Sequence, residues 1–97
     1  MVIPDNINIG GLEWEIILSD LLLHDGIRGK CYKEKNEIHI STDLNKSQKQ
    51  ITFMHEILHA IFESRGTAEG IEFTEEGAVT AIAPLLTQVI NQLTISP

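Results

Sequence analysis

The segment ITFMHEILHAIF, residues 51–62, constrains most strongly what this chain can form. It is apolar enough to be buried, yet it carries His55 and His59 four residues apart, with Glu56 between them. Its apolar side chains recur with helical spacing, and residues four apart project from neighbouring turns on the same side of a helix. We therefore predict a central α-helix whose two imidazoles face one common position.

Such an imidazole pair is suited to a divalent metal ion, for which zinc, Zn²⁺, is the default choice. Glu56 lies about 100° around the helix from His55, so it is placed to reach a water molecule rather than to act as a ligand. This H-E-x-x-H pattern is typical of zinc peptidases, with Glu56 as the catalytic base. The alternative is that the histidines are ordinary helix residues and bind no metal, because short motifs also arise by chance.

A catalytic zinc site requires a third protein ligand. A second helix is predicted from Thr74, as its N-cap, towards Leu93. On this helix Glu75 aligns with the apolar stripe, whereas Glu76 lies about 100° away. A carboxylate facing the core is costly unless it is paired or binds a metal. We predict Glu75 as the third ligand and keep Glu76 as the main competitor, since acidic residues also favour a helix N-terminus without binding anything.

Three further residues are weaker candidates for the site. His39 and His24 are possible ligands or electrophilic helpers, and Tyr32 is a possible hydrogen-bond donor to a developing oxyanion. A surface position is the favoured interpretation for each. Pro84 lies inside the second helix and predicts a kink at about residues 80–84, with a split into two helices as the alternative.

The first half of the chain predicts β-hairpins. Residues 6–18 alternate apolar and polar around Gly10-Gly11, and residues 27–32 and 37–41 flank a polar turn. The first helix is expected to begin near Ser47, with a Ser47/Gln50 capping box, and to end near residue 66. The fold class is therefore α+β: a small antiparallel sheet of three to four strands packed on the H-E-x-x-H helix and a second, C-terminal helix.

Length and charge limit the classes of function. The 97 residues fit one minimal domain, residues 1–97, and the formal net charge of −7 argues against nucleic acid as a partner. No apolar run is long enough to span a membrane, and the chain has one cysteine, so a cytoplasmic location is expected. A peptide or protein substrate is the expected partner, and no sequence feature sets an oligomeric state.

Two segments carry a family resemblance: NEIHISTDLNKSQKQITFMHEILHAI and EEGAVTAIAPLL. They resemble small phage and prophage ImmA/IrrE-type zinc metallopeptidase domains, over most of residues 6–93. The resemblance implies that His55 and His59 bind zinc and that Glu56 is the general base. It also implies Glu75 as third ligand, because an alanine follows it by three residues and apolar residues follow by seven, ten and eleven.

Two functions follow from these observations. The first is a zinc-dependent peptidase, in which the strand around Ile38–Ser41 offers backbone groups to an extended substrate. The alternative is a non-catalytic, metal-stabilised module that binds a phage or host regulator.

Overall fold

A computed structural model describes residues 2–20, 26–64 and 75–94; within the helices, the side chains of residues 64, 75–81 and 94 lie outside this description. The chain forms four strands and then two helices, which confirms the predicted α+β class. In chain order the elements are β1 (Asn6–Ile9), β2 (Leu12–Ser19), β3 (Gly29–Tyr32), β4 (Glu37–Ser41), α1 (Lys46–Ser64) and α2 (Glu75–Thr94).

Both predicted hairpins are present. β1 and β2 pair antiparallel around Gly10 and Gly11, whose φ angles of 60° and 96° are those of a tight hairpin turn that favours glycine. β3 and β4 pair antiparallel across residues 33–36, where Asn36 adopts a φ of 53°. Asparagine tolerates this left-handed conformation better than most residues, so it ends the turn at little cost.

The prediction of an all-antiparallel sheet is wrong for one strand pair. The strand order is β1-β2-β4-β3, and the central pair, β2 with β4, is parallel. Residues 20–28 separate β2 from β3 in the sequence, and β3 lies beyond β4 in the sheet. β4 therefore enters the sheet between two strands that precede it in sequence, and the sheet is mixed.

The core lies between one sheet face and the two helices. α1 packs on β3 and β4, and α2 packs on β1 and on α1. Alternate strand residues face the helices, because successive side chains in a strand point to opposite sides. The buried apolar side chains of the core are Ile7, Ile9, Trp14, Ile16, Ile38, Ile40, Phe53, Ile57, Ala60, Ile61 and Val89.

The first helix begins at Lys46, one residue before the predicted Ser47, and its cap is Asn45. The Asn45 side-chain oxygen accepts the Gln48 backbone N–H at 2.8 Å, and the Gln48 side chain accepts the Asn45 N–H at 3.0 Å. These reciprocal bonds are a capping box in which asparagine replaces serine. The predicted Ser47/Gln50 box is therefore wrong, because an equally spaced pair lies two residues upstream.

The second helix is continuous through Pro84, so the alternative of two separate helices is wrong. It starts at Glu75, one residue after the predicted N-cap Thr74, which lies outside the described residues. After the proline, the Thr87 hydroxyl donates to the Ala83 carbonyl at 2.8 Å. No helix in the described ranges combines the length and apolarity needed to cross a bilayer.

Candidate metal centre

The two motif histidines lie together on the exposed side of α1. The Nε2 atoms of His55 and His59 are 3.2 Å apart, and the ring centroids are 4.8 Å apart with the ring planes at 73°. Both side chains are largely exposed, whereas the next helix face, with Phe53 and Ile57, is fully buried. The amphipathic pattern of α1 thus leaves both imidazoles free to bind a ligand from outside the core.

The spacing of the two nitrogens fits a shared metal ion. Two nitrogen ligands at about 2.0–2.1 Å from a tetrahedral zinc stand about 3.3 Å apart, close to the 3.2 Å between these Nε2 atoms. The same spacing also permits a hydrogen bond in which one neutral ring donates to the other. The donor set is therefore suited to zinc, and the pair needs no rearrangement of the helix to bind it.

Glu56 is held against the neighbouring edge of the sheet. Only 6% of it is exposed, although it is an acidic residue on a helix with one solvent-facing side. A Cβ built on Gly29 of β3 would lie 3.3 Å from the Glu56 Cγ and 2.5 Å from the Thr52 Cγ2. The glycine therefore allows α1 to approach β3 closely, and Glu56 is buried where the two elements meet.

A cavity of about 310 Å³ opens beside the histidine pair. It is lined by Arg28, Gly29, Ile51, Thr52, His55 and Glu56. One metal-binding candidate and the candidate base thus share one solvent-accessible space. Ile51 is 67% exposed and borders this cavity instead of the core.

The electrostatic influence of Glu56 extends to Cys31 on β3. Partial burial raises the pKa of the Cys31 thiol from 9.0 to about 11, and the Glu56 charge adds to the increase. A smaller effect of Glu63 acts in the same direction, and Lys33 opposes them. At neutral pH Cys31 is therefore a protonated thiol, poorly suited to bind a metal or to act as a nucleophile.

The predicted third ligand stays a prediction. Glu75 is the first residue of α2. The structure does not describe the side chains of Glu75 and Glu76. Within the described parts of the chain, no three side chains of histidine, cysteine or acidic type converge on one point. The structure places two of the proposed ligands together and leaves the third untested.

Two of the weaker candidates, His39 and Tyr32, do not join the described site. His39 alternates with the buried Ile38 and Ile40, so it faces the sheet surface away from the helices, where it contacts Glu37 at 3.0 Å. Tyr32 lies on that same surface, with its ring centroid 4.6 Å from that of His39. His24 lies outside the described residues.

Arg28 and Gly29, the cavity residues that α1 does not supply, were not predicted from the sequence. A glycine at the start of a short strand is commonplace, and its importance arises only when α1 packs on β3. The one usable signal for Arg28 was local charge, since basic residues are frequent between positions 28 and 35 of an acidic chain.

Comparison with known families finds one match, over residues 16–83, to the IrrE N-terminal-like domain, peptidase family M78. The matched stretch runs from β2 into α2 and includes His55, Glu56, His59 and Glu75. No curated protein and no solved structure matches the chain significantly. The match covers well over half of the sequence and confirms the resemblance inferred from the two motif segments. The chain therefore belongs to the peptidase-related family of IrrE N-terminal-like domains.

Proposed function

We propose that this domain is a zinc-dependent peptidase of the H-E-x-x-H type. The observation that carries the proposal is the close approach of the His55 and His59 Nε2 atoms beside a cavity that also contains buried Glu56. Family membership supports peptide hydrolysis as the reaction class. A phage or prophage origin and a cytoplasmic location complete the proposal.

The proposed metal ligands are His55, His59 and Glu75. Zinc bound there would act as a Lewis acid towards the scissile carbonyl and would lower the pKa of a bound water molecule. The two imidazoles lie on successive turns of one helix, and the packing of its buried face, with Phe53 and Ile57, holds that helix in place, so little reorganisation is needed on binding.

Glu56 would serve as the general base and then as the general acid. Its carboxylate takes a proton from the attacking water, and the same carboxylic acid then delivers a proton to the leaving amine. Its burial where α1 packs on β3 limits the conformations that the side chain samples. Such positioning favours proton transfer because the carboxylate need not be oriented during the reaction.

An extended substrate is proposed to pair with β3, not with the strand around Ile38–Ser41. That strand is β4, whose two edges are occupied by β2 and β3. Among the described strands, β3 ends the sheet on the side nearest the cavity, and α1 packs against it. A peptide added to this edge would form backbone hydrogen bonds while its side chains alternate between the cavity and the open sheet surface.

The decisive experiment compares wild-type protein with Glu56→Gln after both are loaded with zinc. The substitution preserves size and removes the basic carboxylate, so we expect equal zinc content and a loss of hydrolysis of at least about 100-fold. Cleavage is followed by mass spectrometry of a peptide library, and metal content by elemental analysis.

Two outcomes would contradict parts of the proposal. Undiminished cleavage by Glu56→Gln would reject Glu56 as the base. Equal zinc content with no cleavage by either protein would favour the alternative, a metal-stabilised module that binds a protein partner.

A further inference from the structure

The basic residues of this acidic chain are concentrated beside the cavity. The chain has seven lysines and arginines, and four of them lie within residues 28–35, where Glu34 is the sole acidic residue. The net charge of the whole chain is −7. These four residues are Arg28, Lys30, Lys33 and Lys35. β3 and its turn therefore form a local positive strip, which we call the β3 strip, on an otherwise negative domain.

Arg28 is the cation that borders the cavity. It is exposed, and within the described ranges no carboxylate forms an ion pair with its guanidinium. Its backbone is fixed, because its carbonyl accepts the Ser41 N–H at 2.8 Å. A fixed backbone and an exposed guanidinium that pairs with no described carboxylate make Arg28 suited to receive a carboxylate from a ligand beside the cavity.

The other basic residues of the strip differ in their availability. Lys33 forms an ion pair with Glu63 at 3.1 Å, so its charge is largely compensated. The Nζ atoms of Lys30 and Lys35 lie 5.1 and 5.6 Å from the centroid of the Tyr32 ring, on the sheet surface opposite the cavity. The strip thus offers Arg28 beside the cavity and two lysines on the open surface of the sheet.

An extended peptide on the β3 edge would present successive side chains to these two faces in turn. We infer that the preferred substrate is an extended, acidic peptide segment, with one carboxylate side chain bound by Arg28 at the cavity mouth and a neighbouring one near Lys30. The inference rests on the proposed peptidase function and adds the substrate class. Glu56, in the same cavity, is buried whereas Arg28 is exposed, so Arg28 is the charge that an incoming acidic side chain meets first.

The test uses blocked decapeptides randomised over alanine, leucine, phenylalanine, lysine, glutamine and glutamate. Cleaved positions are read by mass spectrometry with the zinc-loaded wild type, and affinity is measured by fluorescence anisotropy with Glu56→Gln, which does not consume the peptide. Glutamate and glutamine have the same shape, so the ratio between them isolates charge. We expect glutamate to be favoured by about tenfold or more at one position, as charge-assisted hydrogen bonding allows.

Two variants assign the preference to Arg28. Arg28→Gln should reduce the glutamate preference to below about twofold, and Arg28→Glu should shift it towards lysine, as expected when an attractive charge is reversed. The matched control is Lys46→Gln with Lys49→Gln, since these cations line a separate surface cavity with Ile3. The control should leave the preference unchanged, and higher salt should weaken it in the wild type.

The outcomes separate this inference from the proposed function. Cleavage without a glutamate preference, or with a preference that survives Arg28→Glu, would overturn the acidic-substrate inference and leave the peptidase standing. Arg28-dependent binding of acidic peptides without cleavage would support the inference and overturn the peptidase. A preference lost equally in the control double variant would overturn the role of Arg28.

Discussion

Gly29 shows how one residue without a side chain determines the shape of the candidate site. A Cβ at this position would lie 2.5 Å from the Thr52 Cγ2, closer than two non-bonded carbon atoms approach, and 3.2 Å from the His39 carbonyl oxygen. α1 would have to move away from β3 to accept it. Thr52 and Glu56 lie on consecutive turns of the same face of α1, so that movement would also displace Glu56, the candidate base.

We therefore expect Gly29→Ala to lower the free energy of unfolding by about 1–3 kcal/mol, the usual cost of overpacking. The change is measured by urea unfolding. Adding Thr52→Ser to this variant removes the methyl group that clashes, so the double variant should recover part of the loss. Equal stability of Gly29→Ala and wild type would show that α1 and β3 are not in close contact.

Cys31 offers a second residue-scale prediction, on pH dependence. Its pKa is raised to about 11 by burial and then by the Glu56 charge, so the thiolate is scarce at pH 8. Alkylation by iodoacetamide at pH 8 should be about 100-fold slower than for an unstructured cysteine peptide, because the thiolate is the nucleophile. The pH profile of the alkylation rate measures this pKa directly.

Removing the Glu56 charge tests the second cause of that shift. Glu56→Gln should move the alkylation profile to lower pH, and a profile that stays in place or rises would contradict the predicted proximity. The raised pKa of Cys31 also makes the stability of the fold depend on pH. The folded thiol holds its proton more tightly than the unfolded one, so the protonated thiol contributes fully to the free energy of unfolding below pH 9. This contribution is lost as pH rises towards 11.

At the residue scale, the sequence identified the groups whose chemistry depends on local spacing. His55 and His59 are four residues apart on one helix, so their approach follows from helix geometry. Gly29 and Arg28 could not be found in this way, because their proximity to α1 depends on how the helix packs on the sheet. Such tertiary contacts leave no periodic signal in the sequence.

At the element scale, α2 is attached to the sheet by a pair of glutamines four residues apart. The Gln92 side chain accepts the Asn8 backbone N–H at 2.9 Å and donates to the Asn8 carbonyl at 2.8 Å. Gln88 accepts the Gly10 N–H at 3.0 Å and donates to the Asn8 side chain at 2.9 Å. These amides occupy the hydrogen-bonding positions that a further strand would fill, and so cover the edge of β1.

Gln92→Ala should lower the free energy of unfolding by about 1–2 kcal/mol, because it removes both bonds to the Asn8 backbone. Urea unfolding measures the loss. The neighbouring exposed residue provides the control: Asn91→Ala should change stability by less than about 0.5 kcal/mol.

The double variant Gln88→Ala with Gln92→Ala tests the covering of the β1 edge. With its backbone groups uncovered, the edge becomes available to pair with another chain, and light scattering should detect larger species at high concentration. A double variant that is as stable and as dispersed as wild type would show that the glutamines do not cover β1.

The elements themselves were largely predictable, and their pairing less so. The Gly10-Gly11 turn and the polar residues 33–36 specify hairpins locally, and both were found. The parallel pairing of β2 with β4 has no local signal, because β3 lies between these two strands in the sequence. The N-cap of α1 was misassigned because two overlapping pairs, Asn45/Gln48 and Ser47/Gln50, have the same spacing.

At the scale of the whole molecule, 97 residues form a small core of one sheet face and two helices. Domains of this size bury a limited fraction of their surface, so a bound ion that links two elements adds substantially to stability. A zinc ion held by α1 and by the first turn of α2 would connect two helices that residues 65–74 separate in the sequence. The α+β class was predictable from the order of strands and helices, whereas the relative placement of α1 and α2 was not.

The most direct test of the proposed site compares zinc binding by the wild type and by His59→Ala. Native mass spectrometry measures the number of bound ions, and thermal unfolding measures the change in stability. The wild type should bind one zinc ion per chain. At zinc concentrations about 100-fold above the dissociation constant, its stability should rise by about 2.7 kcal/mol, which corresponds to about 10–20 °C in Tm for a domain of this size. His59→Ala should show neither effect. A wild-type protein that binds no zinc, or a His59→Ala protein that binds it equally well, would contradict the metal centre.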